Sequence, residues 1–189
     1  MKQTATYRLM GVSPLLQHNG QLADPLNAFS KLMKKVSGKS KKTEADHEEL
    51  ARLEWHGSLY LDQGRPCIPA IAIDATLVNG AKKMKKGMQA KAGLICDGNA
   101  LLEYEGPAEL DALWADERFR RRVKMKVGTS GVMRTQPHFF PWSASITLHF
   151  SDELLNLSDV DAFVITAGEV VGLLEGRPRF GRYTAERVA

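Results

Sequence analysis

Cys67 and Cys96 are the only cysteines in the 189 residues, and they fall in no paired spacing. That scarcity argues against a disulfide framework and against a zinc site of CxxC type, and it fits a reducing compartment. Long apolar runs are missing as well. No stretch approaches the roughly 18 apolar residues that span a bilayer, and Met1-Lys2-Gln3-Thr4-Ala5-Thr6 leads into no signal-peptide core. A soluble, cytoplasmic protein with no membrane partner is the expectation. Motifs of known chemistry are also absent: His18, His47, His56, His138 and His149 show no HxH, HExxH or His-with-Cys spacing. No serine sits in a GxSxG elbow, and there is neither a P-loop nor a dinucleotide fingerprint. A small-molecule enzyme of familiar type is disfavoured, and neither metal nor cofactor is expected.

Net charge is small, 26 Lys and Arg against 22 Asp and Glu, or +4. Any cationic effect must therefore come from clustering. Four clusters exist: Lys31, Lys34, Lys35, Lys39, Lys41 and Lys42; Lys82, Lys83, Lys85 and Lys86; Arg118, Arg120, Arg121, Arg122, Lys124 and Lys126; and the terminal arginines. The last cluster belongs to the most informative run, Gly172-Leu173-Leu174-Glu175-Gly176-Arg177-Pro178-Arg179-Phe180-Gly181-Arg182-Tyr183. Glycine lets a main chain approach a ligand, arginine offers a planar fork for phosphate, and aromatic faces can stack on unpaired bases. A glycine-bounded turn entering a last strand explains the same residues.

With 43% hydrophobic and 25% charged residues, one domain (1–189) is expected, carrying an insertion at 13–62. Thr4 to Val12 reads as a first strand closed by Pro14, and 13–43 as mostly loop, with the lysine-rich 31–42 as its mobile part. Thr43-Glu44-Ala45-Asp46 predicts a capping box opening a helix, 44–56, and Leu59 to Asp62 a strand fragment. Ile73, Leu77, Ala81 and Met84 predict a helix over Ala70 to Lys86, and Gly93 to Tyr104 reads as strands broken at a hairpin turn, Asp97-Gly98-Asn99. Val123 to Val127 and Ser143 to Phe150 alternate as strands. Ser158 is the expected cap of a helix stopped by Gly172, and Arg179 to Glu186 a last strand. Without its insertions the order is a split βαβ arrangement, an α+β, ferredoxin-like or RRM-like antiparallel sheet with helices on one face.

Several segments resemble the RAMP superfamily, the RNA-binding subunits of CRISPR effector complexes, and look most like their repeated backbone subunit. Gly64-Arg65-Pro66-Cys67-Ile68-Pro69-Ala70-Ile71-Ala72-Ile73 is similar to the family's entry into its first helix, with Ala70 where glycine is expected. Met133-Arg134-Thr135-Gln136-Pro137 matches its Arg-containing hairpin, the 172–183 run its glycine-rich loop, and Leu22-Ala23-Asp24-Pro25 its aspartate-bearing loop. The resemblance implies a subunit that coats single-stranded RNA, or alternatively single-stranded DNA, by polymerising along it or joining other effector subunits. It also makes Asp24 a weak catalytic candidate for RNA cleavage, although Asp before Pro is a standard turn starter. The expected contact residues are Lys34, Lys35, Lys39, Lys41, Lys42, Lys82, Lys83, Lys86, Arg121, Arg134, Arg177, Arg179, Phe180 and Arg182. Phe139, Phe140, Trp142 and Tyr183 are further stacking candidates, with Phe140 and Trp142 equally suited to the core. A phage or mobile-element protein whose basic loops bind an acidic protein partner is the alternative of a different class.

Overall fold

In the computed structural model of the protein, residues 2–127 and 130–188 are described, with backbone alone at 125–127 and 130. The fold is α+β, with six α-helices and antiparallel strand pairing among the described residues. In order the elements are β1 (Lys2–Gly11), β2 (Leu15–Leu16), α1 (Ala28–Ser37), α2 (Glu44–Ser58), β3 (Leu61–Asp62), β4 (Arg65–Ile68), α3 (Ala70–Lys83) and α4 (Gly87–Gly93). They continue as β5 (Leu94–Cys96), β6 (Ala100–Leu101), β7 (Glu103–Tyr104), α5 (Leu110–Ala115), β8 (Arg120–Val127), β9 (Ser130–Phe139), β10 (Trp142–Ser151), α6 (Leu157–Thr166) and β11 (Tyr183–Arg187). Among the described residues no helix is long and apolar enough to cross a membrane.

The chain divides into two compact units. The first comprises Met1–Leu16, Leu61–Glu105 and Phe140–Ala189, and the second Gln17–Tyr60 and Gly106–Phe139. Where the sequence suggests a single inserted stretch, 13–62, the second unit thus draws on two.

Period-2 alternation makes the main sheet of the first unit. Ala5, Tyr7 and Leu9 of β1, and Trp142, Ala144, Ile146, Leu148 and Phe150 of β10, are buried, while the residues between them turn outward. The strand order is β11-β1-β10-β5, with β7 also on β10. Every pairing is antiparallel. Helix α3 buries Ile73, Thr76 and Leu77, and α6 buries Val160, Phe163 and Val164. Asp97-Gly98-Asn99 does not close a hairpin, since β5 pairs with β10 and β6 with β4. The turn switches sheets because its ends have other partners: Asp97 N–H donates to the Thr147 carbonyl at 2.9 Å, and Asn99 Oδ1 accepts the Ala70 N–H at 3.1 Å. Helix α3 stops at Lys83, short of Lys86, where Lys85 turns to a φ of 60°. Asn156, rather than Ser158, caps α6; its side chain accepts the Asp159 N–H at 2.9 Å. The last strand starts at Tyr183 because 179–181 belong to the preceding loop.

In the second unit the 31–42 segment is not a loop: most of it is α1. Asn27 Oδ1 accepts the Phe29 N–H at 2.9 Å to start the helix, and Phe29, Met33 and Val36 recur at helical spacing, Val36 fully inward. Lys34 and Lys35 complement its C-terminal dipole. Pro25 and Gly38 bracket the helix rather than break it. Helix α2 carries the expected capping box and runs on to Ser58. Trp55 is fully buried and its Nε1 donates to the Phe119 carbonyl at 2.8 Å. β8 and β9 form a hairpin in which Arg122 faces Thr135.

Asp46, inside the capping box, bonds the Lys39 ammonium and accepts the Thr43 N–H at 2.9 Å. Lys39 first, then the Thr43 backbone, draws its carboxyl from 3.8 down to about 2. A carboxylate whose pKa is depressed by folding adds stability that is present above its unfolded value and fades as pH falls toward the folded one. The urea-midpoint difference between wild type and Asp46→Asn is therefore expected to hold its full size from about pH 5 upward and to close only below about pH 2. A pH-independent difference would contradict this.

Candidate functional site

The glycine-rich run is an ordered loop whose glycines serve its own packing. Helix α6 passes into a π-type turn, Ala167–Val171, which ends at Gly172 with φ 78°. The loop then folds back: Leu173 N–H donates to the Gly181 carbonyl at 2.9 Å, Gly181 N–H to Pro14 at 2.8 Å, and Glu175 N–H to Leu16 at 3.2 Å. A Cβ on Gly172 would lie 2.5 Å from the Phe180 carbonyl oxygen, and one on Gly181 2.0 Å from that of Leu173. Close backbone approach is thus real, but the other backbone is the protein's own. Phe180 is half-buried against Gly176.

That fold-back places Arg177 beside the C-terminal half of α3. Asn79, Lys82 and Lys83 from the helix, with Leu174, Glu175 and Arg177 from the loop, line a groove of about 660 Å³. Lys82 Nζ donates to Asn79 Oδ1 at 3.1 Å, and Arg177 to Thr76 Oγ1 at 3.4 Å. Thr76 Oγ1 in turn donates to the Gly172 carbonyl at 3.2 Å, tying helix to loop. Three cations from two remote stretches therefore converge. All three are exposed, and Glu175 is the one carboxylate lining the groove.

The first unit's other expected contacts do not line the groove. Arg179 and Arg182 are exposed outside the groove lining, and Arg182 is held through its backbone, its N–H donating to Ser13 Oγ at 2.9 Å. Lys86 is paired with Asp159 at 2.6 Å. Lys34, Lys35, Lys39, Lys41 and Lys42 belong to the second unit, where Lys39 pairs with Asp46 and Lys42 donates to the Lys39 carbonyl at 3.1 Å. Arg121 and Arg134 lie in that unit too, Arg134 bonded to buried Glu54 at 2.7 Å. The Lys126 side chain lies outside the described residues. Phe139, Trp142 and Tyr183 are core residues, 0–3% exposed, whereas Phe140 is 51% exposed. Asp24 spends its carboxylate on a turn, Oδ1 accepting the Leu26 N–H at 2.8 Å.

The outer face of the main sheet holds what spacing along the chain concealed. Thr4, Thr6 and Arg8 of β1 and Ser143, Ser145, Thr147 and His149 of β10 give it hydroxyls and, apart from the His149 imidazole, no aromatic ring among these positions. His149 bridges Thr4 Oγ1, 2.9 Å from Nδ1, and Asp97 Oδ1, 2.8 Å from Nε2. Only the register Thr4↔His149 and the sheet-switching turn bring the three together. Among the described residues no group of three or more His, Cys, Asp or Glu could hold a metal ion. The two cysteines are buried, and burial, then Asp62, pushes the Cys67 thiol up to about 11. No protein-family model matches the chain, and no curated protein matches it.

Proposed function

We propose that the first unit binds single-stranded nucleic acid, RNA before DNA, through the phosphate backbone and with little sequence preference, as a repeated subunit of a filament or CRISPR-type effector complex of the RAMP kind. The convergence of Lys82, Lys83 and Arg177 on one groove carries this reading. Lysines supply point charges and arginine a fork suited to phosphate oxygens. The strand order supports a ferredoxin-like core: taking β1, β5, β10 and β11 as first to fourth, their order across the sheet is fourth, first, third, second, with α3 and α6 as crossovers. The hydroxyl-rich outer face favours backbone contacts over the base stacking of an RRM sheet.

Anisotropy titrations of labelled single-stranded RNA, single-stranded DNA and duplex at low ionic strength test it. Wild type is expected to prefer single strands. The combined Lys82→Ala, Lys83→Ala, Arg177→Ala variant is expected to lose about 1–3 kcal/mol of binding, roughly 5- to 150-fold, as charge-assisted contacts vanish. Its melting temperature should barely change, because the three side chains are exposed. Absence of binding by the wild type would leave the acidic protein partner as the better reading.

A further inference from the structure

The second unit has a pocket of its own, of about 550 Å³, in the range of small-molecule sites. Its walls carry two chemistries. On one side lies an aromatic and guanidinium stack: the Arg120 guanidinium sits 4.7 Å from the centre of the Trp114 ring, and Trp114 is backed by Trp55 at 5.7 Å. Arg122, two residues along the same strand, adds a second fork on the same face. From another element, the first turns of α2 add Glu44, His47 and Glu48 to the lining, spaced to share one helical face.

Some of these groups have fold-stabilising partners and some do not. Arg120 is held by Trp114 and by Glu117 at 3.5 Å. The side chains of Arg122, Glu44 and Glu48 make no ion pair or hydrogen bond among the described residues. Unpaired fork and unpaired carboxylates in one pocket, beside a planar stack, suit a planar ligand that offers acceptors on one edge and donors on another. Phosphate alone does not fit, since the carboxylates would repel it.

We propose that this pocket binds a guanine nucleotide through its base, stacked on the Trp114–Arg120 pair. Guanine presents O6 and N7 as paired acceptors for an arginine fork, and N1–H with its amino group as adjacent donors for a carboxylate. Adenine turns an acceptor toward the carboxylate at the corresponding ring nitrogen, and uracil lacks the amino group. The site is separate from the cationic groove and does not depend on it. The same base chemistry is available from a free nucleotide or from a guanine within a strand.

Calorimetric titration with GMP, AMP, CMP and UMP tests the assignment. GMP is expected to bind at least about tenfold more tightly than the other three, and Arg122→Ala and Glu48→Gln each to weaken it about tenfold. Both positions are exposed, so unchanged thermal unfolding of the variants would show that lost binding is local. The groove variant should bind GMP as wild type does, which separates failure of this proposal from failure of the groove. On that variant, an oligouridylate with one central guanosine should bind more tightly than oligouridylate alone if the source is a strand, and no better if the source is the free nucleotide. No binding of GMP, or GMP binding unaffected by both pocket substitutions, would overturn the proposal.

Discussion

The Gly181→Ala variant is expected to lose roughly 3–5 kcal/mol of stability, a large share of what holds a domain of this kind together. Two costs combine. Gly181 has φ 71°, where a Cβ is strained by about 1–2 kcal/mol. That Cβ would also fall 2.0 Å from the Leu173 carbonyl oxygen and 2.6 Å from its nitrogen, backbone atoms held by the Leu173-to-Gly181 hydrogen bond. Gly64 provides the control: its φ is 79°, yet nothing lies within 4 Å of an added Cβ. Gly64→Ala should therefore cost only the conformational strain, about 1–2 kcal/mol. Urea unfolding of both variants checks this. Similar losses would mean that the loop gives way freely and is not the self-packed turn described.

Glu54→Ala is expected to cost about 3 kcal/mol. Glu54 is 6% exposed on α2, and its two oxygens are used by two residues of β9: Arg134 at 2.7 Å and the Thr135 N–H at 2.8 Å. Truncation leaves a guanidinium and a buried N–H without their partner, and removing one member of such a set costs far more than the set contributes net. Arg134→Ala should cost a similar amount, because it leaves the Glu54 carboxylate, its side chain 7% exposed, without its counter-charge, whereas the Arg134 side chain is 27% exposed. Urea unfolding checks both variants, and a near-neutral result for either would contradict the anchoring of α2 to β9 through Glu54.

The α+β class, the strand of alternating Ala144, Ile146, Leu148 and Phe150, and the capping box at Thr43 and Asp46 were legible because each is a local pattern with a local cause. Helix α1 was hidden by its lysines: with Phe29, Met33 and Val36 as its inward positions, the apolar stripe is too narrow to stand out. The Asp97-Gly98-Asn99 turn looked like a hairpin because turn chemistry says where a chain bends, not which strands then pair. At the candidate groove, Lys82, Lys83 and Arg177 were individually visible as cations, but the loop's return against α3 is a tertiary event, and it left Arg179 and Arg182 outside. The ion pairs that occupy Lys39, Lys86 and Arg134 were equally invisible: Asp159 and Glu54 come from remote parts of the chain, and the capping box gives Asp46 a backbone role without foretelling its bond to Lys39.

The most direct test of the groove is the salt dependence of single-stranded RNA binding, measured in parallel for wild type and the Lys82→Ala, Lys83→Ala, Arg177→Ala variant. Each phosphate contact on a single strand contributes a slope of about −0.7 to log K against log salt. Removing three contacts should therefore make the slope shallower by about 2. An equal slope for the two proteins, or a wild type whose binding does not weaken with salt, would contradict phosphate recognition at this groove.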